Sequence, residues 1–449
     1  MTKPTLASLA RDLAEGRTTS QRLTEDCLAA IDDQNGEGAR AFLHVDREAA
    51  QAQARAVDLL RTGGATPPSR YAGIPISIKD LFDIAGQVTR AGSMALDGAS
   101  PATEDAETVA RLRRAGFVFI GRTNMSEFAF SGVGTNPHYG TPLGIWDRAS
   151  QRIPGGSSAG AAVSVTDSMA FGALGTDTGG SCRIPAAFNG LVGYKPTARR
   201  VPLKGALPLS FSLDSIGPIA GTVACCAALD AILANESEPE LDGLSLDGVR
   251  FAVPNNFVVN DLDAAVSADF QSALSRLSRA GARISNINLS ELDTIPQINA
   301  LGGFAAAESY AWHCKLLDRK GDAYDPRVRV RVERGAKQSA ADYIELCNAR
   351  ARFIAAMEKK LAPYDAMLMP TVPIVAPRIE ELIADDAFAR INLLVLRNPS
   401  VINLLDGCAI SIPMHEDGEA PAGISLAAPG GHDRHIFRLA AAASALLSR

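Results

Sequence analysis

Two serines that each follow a pair of glycines are the residues whose type and spacing point most directly to chemistry. They close the turns 155–157 and 179–181, which lie in a stretch of mostly small residues, 154–197. Glycine adopts positive φ angles and allows close backbone approach, so a serine hydroxyl can stand free with neighbouring N–H groups aimed at one point. Backbone donors in this arrangement form an oxyanion hole, which stabilises the charge that develops during acyl transfer.

A serine attacks efficiently only when another group removes its proton. The glycine-rich turns contain no histidine, although a histidine from elsewhere in the chain could reach them in the fold. Lys79 is a second candidate base, because it follows the apolar, β-prone run in GIPISIK and is expected at a buried strand end. Burial removes water from the charged amine and lowers its pKa, so a neutral Lys79 could accept a proton.

Each of these residues also has other interpretations. A Gly-Gly-Ser turn is often only structural, and a lysine at a strand end is often solvated or paired with a carboxylate. The glycine-rich turns could bind a phosphate through their N–H groups, but neither GxxxxGK[ST] nor GxGxxG is present. Lys79 could form a Schiff base with pyridoxal phosphate, but no other feature calls for that cofactor.

Four motifs in one order give the sequence a clear resemblance to the amidase signature family. They are GIPISIKD around Lys79, GRTNMSEFAFSGVGTNPHYG at 121–140, PGGSSAG at 154–160 and GTDTGGSCRIPAAFNGLVGYKPT at 175–197. The interval of 24 residues between Ser157 and Ser181 also matches the family pattern. The resemblance is densest over residues 70–220, and weaker similarity at 369–373, 398–413 and 421–429 extends it along the chain.

The resemblance implies a Ser–Ser–Lys triad. Ser181 would be the nucleophile and Lys79 would be the terminal base. Ser157, held by a cis peptide bond after Gly156, would relay protons between them. The product would leave after hydrolysis of an acyl-enzyme. No metal and no organic cofactor are implied.

The same resemblance assigns supporting roles around the nucleophile. The implied oxyanion donors are the backbone N–H groups of Thr178, Gly179, Gly180 and Ser181. Asp177 and Arg183 would brace these loops, and Met125 would line the pocket for the acyl group. Cys182, next to the nucleophile, is expected to be a buried packing residue.

Alternating helices and strands are expected to position these residues. Residues 105–115 predict a helix, followed after Gly116 by a strand at 117–120. A strand at 250–253, a helix through Val266 and Phe270, and a strand at 284–289 repeat the pattern. Further strands are expected at 366–369, 409–412 and 423–427, before a final helix from about 434.

This alternation predicts an α/β fold: a single large α/β/α sandwich with a mixed, twisted central sheet covered by helices. We expect one domain over 1–449, with the family core at 70–220. A variable region at 235–395 is expected to shape the substrate pocket, and within or beside it the segments 302–313 and 379–398 are candidate pocket walls.

Composition limits the range of functions. The 449 residues are 47% hydrophobic and carry a net charge of −6. This negative charge argues against a general nucleic-acid-binding surface. Seven scattered cysteines without a CxxC pair indicate neither a disulfide framework nor a zinc site and fit a cytoplasmic location. No signal peptide or membrane-spanning run is evident, so we expect no membrane association.

The sequence therefore predicts an amidohydrolase that cleaves the C–N bond of a small or aryl carboxamide. A carbamate substrate, and hence a urethanase activity, stays open, as does a homodimeric state. The alternative is the glutaminase subunit of a tRNA-dependent amidotransferase, which shares the implied catalytic core but works with partner subunits.

Overall fold

The computed structural model of the chain describes residues 4–447, whose strands form one 11-stranded sheet. In chain order these strands are β1 (Phe42–His44), β2 (Pro75–Lys79), β3 (Val118–Thr123), β4 (Ala173–Thr176), β5 (Val192–Lys195), β6 (Ile216–Ala220), β7 (Arg250–Pro254), β8 (Arg283–Ile287), β9 (Ala366–Pro370), β10 (Cys408–Pro413) and β11 (Gly423–Ala428). Their order across the sheet is β1-β3-β2-β4-β6-β5-β10-β11-β9-β7-β8. Parallel and antiparallel pairs both occur, so the sheet is mixed.

Fifteen α-helices surround this sheet in the described residues. They are α1 (Leu6–Ala14), α2 (Ser20–Asp32), α3 (Gly38–Ala41), α4 (Arg47–Thr62), α5 (Glu107–Arg114), α6 (Ala159–Thr166), α7 (Arg183–Phe188), α8 (Val223–Ala234), α9 (Ala264–Arg279), α10 (Ile295–Ile298), α11 (Gly303–Lys320), α12 (Pro326–Glu333), α13 (Ala340–Leu361), α14 (Asp385–Leu404) and α15 (Asp433–Leu447).

Most inner strands are buried along their whole length because both faces of the sheet are covered. In β9, Ala366 and Leu368 join one core cluster with α8, α9 and α15, whereas Met367 and Met369 join a second cluster with α13 and α14. Successive side chains of a strand point to opposite faces, so this alternation shows two separate helical layers. The predicted α/β sandwich is confirmed.

The individual elements agree with the sequence pattern where that pattern is periodic. The helix expected at 105–115 is α5, and the strand expected at 117–120 is β3, which starts one residue later and ends three residues later. The strand expected at 284–289 is β8, which ends two residues earlier. The glycine-rich segment 154–197 holds α6, β4, α7 and β5, which the pattern did not resolve because small residues carry almost no hydrophobic periodicity.

Membrane-spanning helices and metal-binding clusters are both absent from the described part of the chain. None of the helices within residues 4–447 combines the length and apolarity needed to cross a membrane. Over the same residues, His, Cys, Asp and Glu side chains form no group that could hold a metal ion.

Candidate active site

Lys79 is the last residue of β2, the third strand from one edge of the sheet, and is fully buried. Its Nζ atom is 2.8 Å from Ser157 Oγ and 2.7 Å from Thr176 Oγ1, at the end of the neighbouring strand β4. A neutral amine has two N–H donors and one lone pair. If it donates to Thr176, the lone pair remains available toward Ser157.

The electrostatic surroundings favour this neutral form. Burial lowers the pKa of Lys79 to about 8, although Cys182, Asp214 and Asp177 act in the opposite direction. A base with a pKa near neutrality combines a large deprotonated fraction with useful proton affinity. Lys79 therefore has the surroundings of a general base and differs from a solvated lysine at a strand end.

Ser157 lies in a tightly packed turn directly before α6. The peptide bond between Gly156 and Ser157 is cis. The Gly156 N–H donates to Gly132 O at 2.8 Å, and the Ser126 N–H donates to Ser157 O at 3.1 Å. A Cβ on Gly156 would lie only 2.6 Å from Gly134 N, so only glycine fits at this position.

The two serine turns meet beside β4. A Cβ on Gly175 would lie 3.0 Å from both Ser158 Oγ and Cys182 Sγ. Ser158 directly follows Ser157 in the chain, and Cys182 directly follows Ser181. Ser181 is 3% exposed and precedes α7. Lys79, Ser157 and the turn of Ser181 thus come together around the ends of β2 and β4.

Residues 177–181, which we call the oxyanion loop, are anchored by a buried ion pair. The Asp177 carboxylate accepts hydrogen bonds from Arg183 Nη2 at 2.8 Å and Nε at 3.0 Å. It also accepts from the N–H groups of Gly180 and Cys182 and from Asn403 Nδ2. Although burial alone would raise it, these partners, chiefly Arg183, lower the pKa of Asp177 to about 2.

The expected set of four oxyanion donors stays a prediction, and the structure shows which of the four N–H groups already have a partner. The Gly180 N–H donates to Asp177 Oδ1 at 2.9 Å, so it already has a partner. Among the described residues, the N–H groups of Thr178, Gly179 and Ser181 have no hydrogen-bond acceptor in the protein. Gly179 is partly exposed while the rest of the oxyanion loop is buried, so the loop opens to solvent at this residue.

Met125 is fully buried, as expected for a residue near the site. Its N–H donates to Asn124 Oδ1, and its carbonyl oxygen accepts from Asn136 Nδ2, both at 2.8 Å. Its side chain packs against Gly92. No hydrogen bond joins it to either serine, so its role in the acyl pocket stays a prediction.

Helix α14 contributes residues that the sequence did not identify. Asn392 Oδ1 accepts from Ser131 Oγ and from the Gly132 N–H, and Asn403 donates to Asp177. The side chain of Leu396 lies between these two contacts, 3.0 Å from the Cβ position of Gly132 and 3.4 Å from that of Gly179. Asn392 and Leu396 lie in the predicted pocket wall 379–398, and Asn403 lies in the segment of weaker similarity 398–413, but neither pattern assigned these residues a role.

The histidine alternative finds no support in the structure. In the part of the chain that is described, no histidine nitrogen lies within hydrogen-bond distance of Ser157 or Ser181. His138 contacts Glu127, His313 contacts Tyr324, and His415 contacts Ala422.

A groove of about 530 Å³ lies elsewhere, lined by Ile298, Leu346 and Phe353 among others. It contains none of the residues that surround Lys79 and Ser181. The convergence of titratable and nucleophilic groups, not the size of the groove, therefore locates the candidate active site.

Comparison with known proteins gives a consistent result. The sequence matches the family model Amidase over residues 22–437. The 2-amino-5-chloromuconic acid deaminase of Comamonas testosteroni is 36% identical over 415 residues, covering 91% of this chain and 89% of that protein. One subunit of the glutamyl-tRNA(Gln) amidotransferase of Lacticaseibacillus paracasei is 30% identical, covering 98% of this chain and 96% of that protein. A crystal structure of an amidase aligns with a TM-score of 0.90 and 32% identity, covering 99% of this chain and 100% of the other.

These matches extend over nearly the whole chain and agree in sequence and in three-dimensional structure. They confirm the resemblance drawn from the four motifs. The chain therefore belongs to the amidase family, the amidase signature enzymes that hydrolyse C–N bonds.

Proposed function

We propose that this protein is an amidohydrolase that works through a Ser181–Ser157–Lys79 triad and an acyl-enzyme. The observation that carries the proposal is the buried contact of 2.8 Å between Lys79 Nζ and Ser157 Oγ. A fully buried amine that bonds only hydroxyl oxygens lacks the carboxylate expected of a structural lysine.

In the first half of the reaction, neutral Lys79 accepts the proton of Ser157, which takes the proton of Ser181. Ser181 Oγ then attacks the carbonyl carbon of the substrate, and the oxygen becomes negatively charged. The N–H groups of Thr178, Gly179 and Ser181 stabilise that charge. Ser157 returns a proton to the nitrogen as the C–N bond breaks, because an unprotonated amine leaves poorly.

In the second half, a water molecule attacks the Ser181 ester. Lys79 and Ser157 remove one proton from the water, and the acid product leaves as the proton returns to Ser181. The reaction consumes one water molecule for each C–N bond. The same residues act as base and then as acid in each half.

Arg331 favours a substrate that carries a carboxylate. Within residues 4–447 no carboxylate forms an ion pair with it; its guanidinium donates to Phe130 O and lies 5.0 Å from the ring centre of Phe388. Burial lowers the pKa of Arg331 to about 10, although Asp325 raises it. Phe130 directly precedes Ser131 and Gly132, and the Gly132 carbonyl oxygen accepts from the Gly156 N–H beside Ser157. This link to the turn of Ser157 supports the proposal that Arg331 pairs with an anionic group of the substrate.

The name of the relative 2-amino-5-chloromuconic acid deaminase describes an acid as its substrate, which agrees with this interpretation. We therefore propose a small amide that bears a carboxylate as the preferred substrate. A carbamate remains an alternative for the group that is cleaved. The region 235–395, which includes Arg331, would set this preference.

A second candidate function is the glutaminase subunit of a tRNA-dependent amidotransferase. It rests on relatives that are 30–33% identical to this chain. In that case the chain would release ammonia from glutamine and need partner subunits for activity.

Hydrolysis assays with the purified chain alone test these functions. The panel contains a neutral anilide, an anilide of a dicarboxylic acid, a primary amide, a carbamate and glutamine. We expect the wild type to hydrolyse the acidic anilide with the lowest KM of the panel. In Arg331→Gln the KM for this anilide should be about 10- to 100-fold higher, since a charged hydrogen bond contributes about 1.5–3 kcal/mol.

The control for this experiment is Arg329→Gln, a half-buried arginine of the same helix α12 that already pairs with Asp322 and Glu333, and it is expected to leave the KM unchanged. Equal KM values for acidic and neutral anilides in all three proteins would refute the carboxylate preference. If glutamine is the only substrate of the panel that is hydrolysed, and only when partner subunits are added, the second candidate is favoured.

A further inference from the structure

The loop 209–214 lies against the oxyanion loop and is joined to it by a short hydrogen bond. Thr178 Oγ1 donates to Asp214 Oδ1 at 2.5 Å. Next to this contact, the backbones of Asp177 and Ser215 exchange two hydrogen bonds, of 2.7 Å and 3.1 Å. Thr178 is 5% exposed, so this contact is shielded from water.

Asp214 in turn fixes the shape of its own loop. Its carboxylate accepts from the N–H groups of Leu209 and Ser210 at 3.0–3.1 Å. All its observed partners are therefore neutral donors, and no cation forms an ion pair with it among the described residues. A carboxylate kept without a cation close to a catalytic group is unusual for a purely structural residue.

The charged groups around Asp214 come from several elements. Glu308 from α11 lies near it and accepts hydrogen bonds from Ser210 Oγ and Ser212. Lys79 from β2 is linked to the same segment, because its Nζ atom bonds Thr176 Oγ1, two residues before Thr178, and the Asp214 carboxylate raises the pKa of that amine. Desolvation raises the pKa of Asp214 to about 6, against the effect of its hydrogen bonds from Thr178, Ser210 and Leu209, and Glu308 adds to the increase. Asp177, the other nearby carboxylate, is paired with Arg183.

We propose that Asp214 is a positioning residue of the amidase reaction: it holds the oxyanion loop through the Thr178 hydroxyl and supplies a negative charge that tunes Lys79. This proposal rests on the proposed triad. The loop needs such an anchor because two consecutive glycines follow Thr178 and give the backbone freedom. Its other end is already anchored by Arg183 and Asn403 through Asp177.

The two roles of Asp214 are separated by two substitutions. Thr178→Val removes the hydrogen bond but keeps the charge, and Asp214→Asn removes the charge. In both variants kcat should fall about 10- to 100-fold, because donors displaced by even 1 Å stabilise the oxyanion poorly. KM should change much less than kcat.

The pH profile of kcat/KM distinguishes tuning from a merely structural role. Without the Asp214 charge the ammonium form of Lys79 is less favourable, so the acidic limb of the profile should move to lower pH by about half a unit or more in Asp214→Asn. In Thr178→Val the limb should stay where it is in the wild type. Thr178→Ser should restore much of the lost kcat, and Asp386→Asn, an exposed aspartate of α14, should change neither quantity.

Wild-type kcat and an unmoved acidic limb in Asp214→Asn would overturn the inference, as would wild-type kcat in Thr178→Val. If the Asn variant does not fold, the kcat of the Val variant decides. The proposed function fails separately, if the wild-type protein hydrolyses no amide and Ser181 cannot be acylated.

Discussion

Lys79 shows how burial can change the role of a side chain. It is fully buried at the end of β2 and has two hydroxyl partners but no carboxylate partner at hydrogen-bond distance. The loss of hydration destabilises the ammonium form more than the nearby negative charges stabilise it, so the pKa of Lys79 falls to about 8. A serine, which has a far higher pKa, can then be deprotonated in the transition state without a histidine.

The pH dependence of turnover follows from this pKa. In the proposed mechanism the active form of Lys79 is neutral, so kcat/KM should be constant above about pH 8 and fall about tenfold for each pH unit below it. Steady-state assays from pH 5 to pH 10 with a neutral substrate check this, since such a substrate does not titrate itself. A profile that stays flat down to pH 5 would contradict a lysine base.

At this scale the sequence predicted the identities of the central residues better than their contacts. Lys79, Ser157 and Ser181 were identified from motifs, and the structure brings Lys79 Nζ and Ser157 Oγ, the proposed relay, to 2.8 Å from each other. The hydrogen bond from Gly180 to Asp177 was not foreseen, because the motif does not show which N–H groups the ion pair uses. Thr176 and Asp214 were missed for the same reason, since only the fold places them next to the triad.

At the scale of elements, α14 holds both walls of the site. Asn392 and Asn403 are eleven residues apart, about 16 Å along the helix axis. The first holds the loop around Gly132, and the second holds the Asp177–Arg183 pair. Between them lies Pro399, which has no N–H to donate within the helix. Its ring packs against Gly180.

Asn403→Ala tests this role of α14. It removes two hydrogen bonds donated to Asp177 and one accepted from Arg183, all buried. We expect a loss of unfolding free energy of about 2–4 kcal/mol, because the ion pair loses a neutral partner, together with a lower kcat. Urea denaturation and steady-state kinetics measure the two effects.

The matched control is Arg390→Ala on the exposed side of the same helix, where a change within about 0.5 kcal/mol is expected. If Asn403→Ala behaves like Arg390→Ala, α14 does not hold the oxyanion loop. The importance of α14 was only partly predictable, because an asparagine on a buried helix face has no distinctive spacing in the sequence.

At the scale of the whole molecule, the strand order explains how distant motifs meet. β2 and β4 are adjacent parallel strands although 93 residues lie between them in the chain, so the ends that carry Lys79 and Thr176 coincide. The carboxyl ends of parallel strands lie at one edge of a sheet, where loops can converge on a ligand. The sandwich itself was predictable from alternating helix and strand patterns, whereas the order of strands was not, because pairing depends on contacts between distant segments.

The central claim is that Ser181 is acylated with the help of Lys79 and Ser157, and covalent labelling tests it most directly. The protein is treated with a fluorophosphonate and digested with trypsin, which should release the peptide 153–183. Because this peptide contains both Ser157 and Ser181, fragment ions in mass spectrometry must assign the adduct to one of them. We predict one adduct per chain on Ser181 in the wild type, none in Ser181→Ala, and labelling slowed about 100-fold or more in Lys79→Ala. Stoichiometric labelling that persists in Ser181→Ala, or an adduct on another residue of the wild type, would contradict the account.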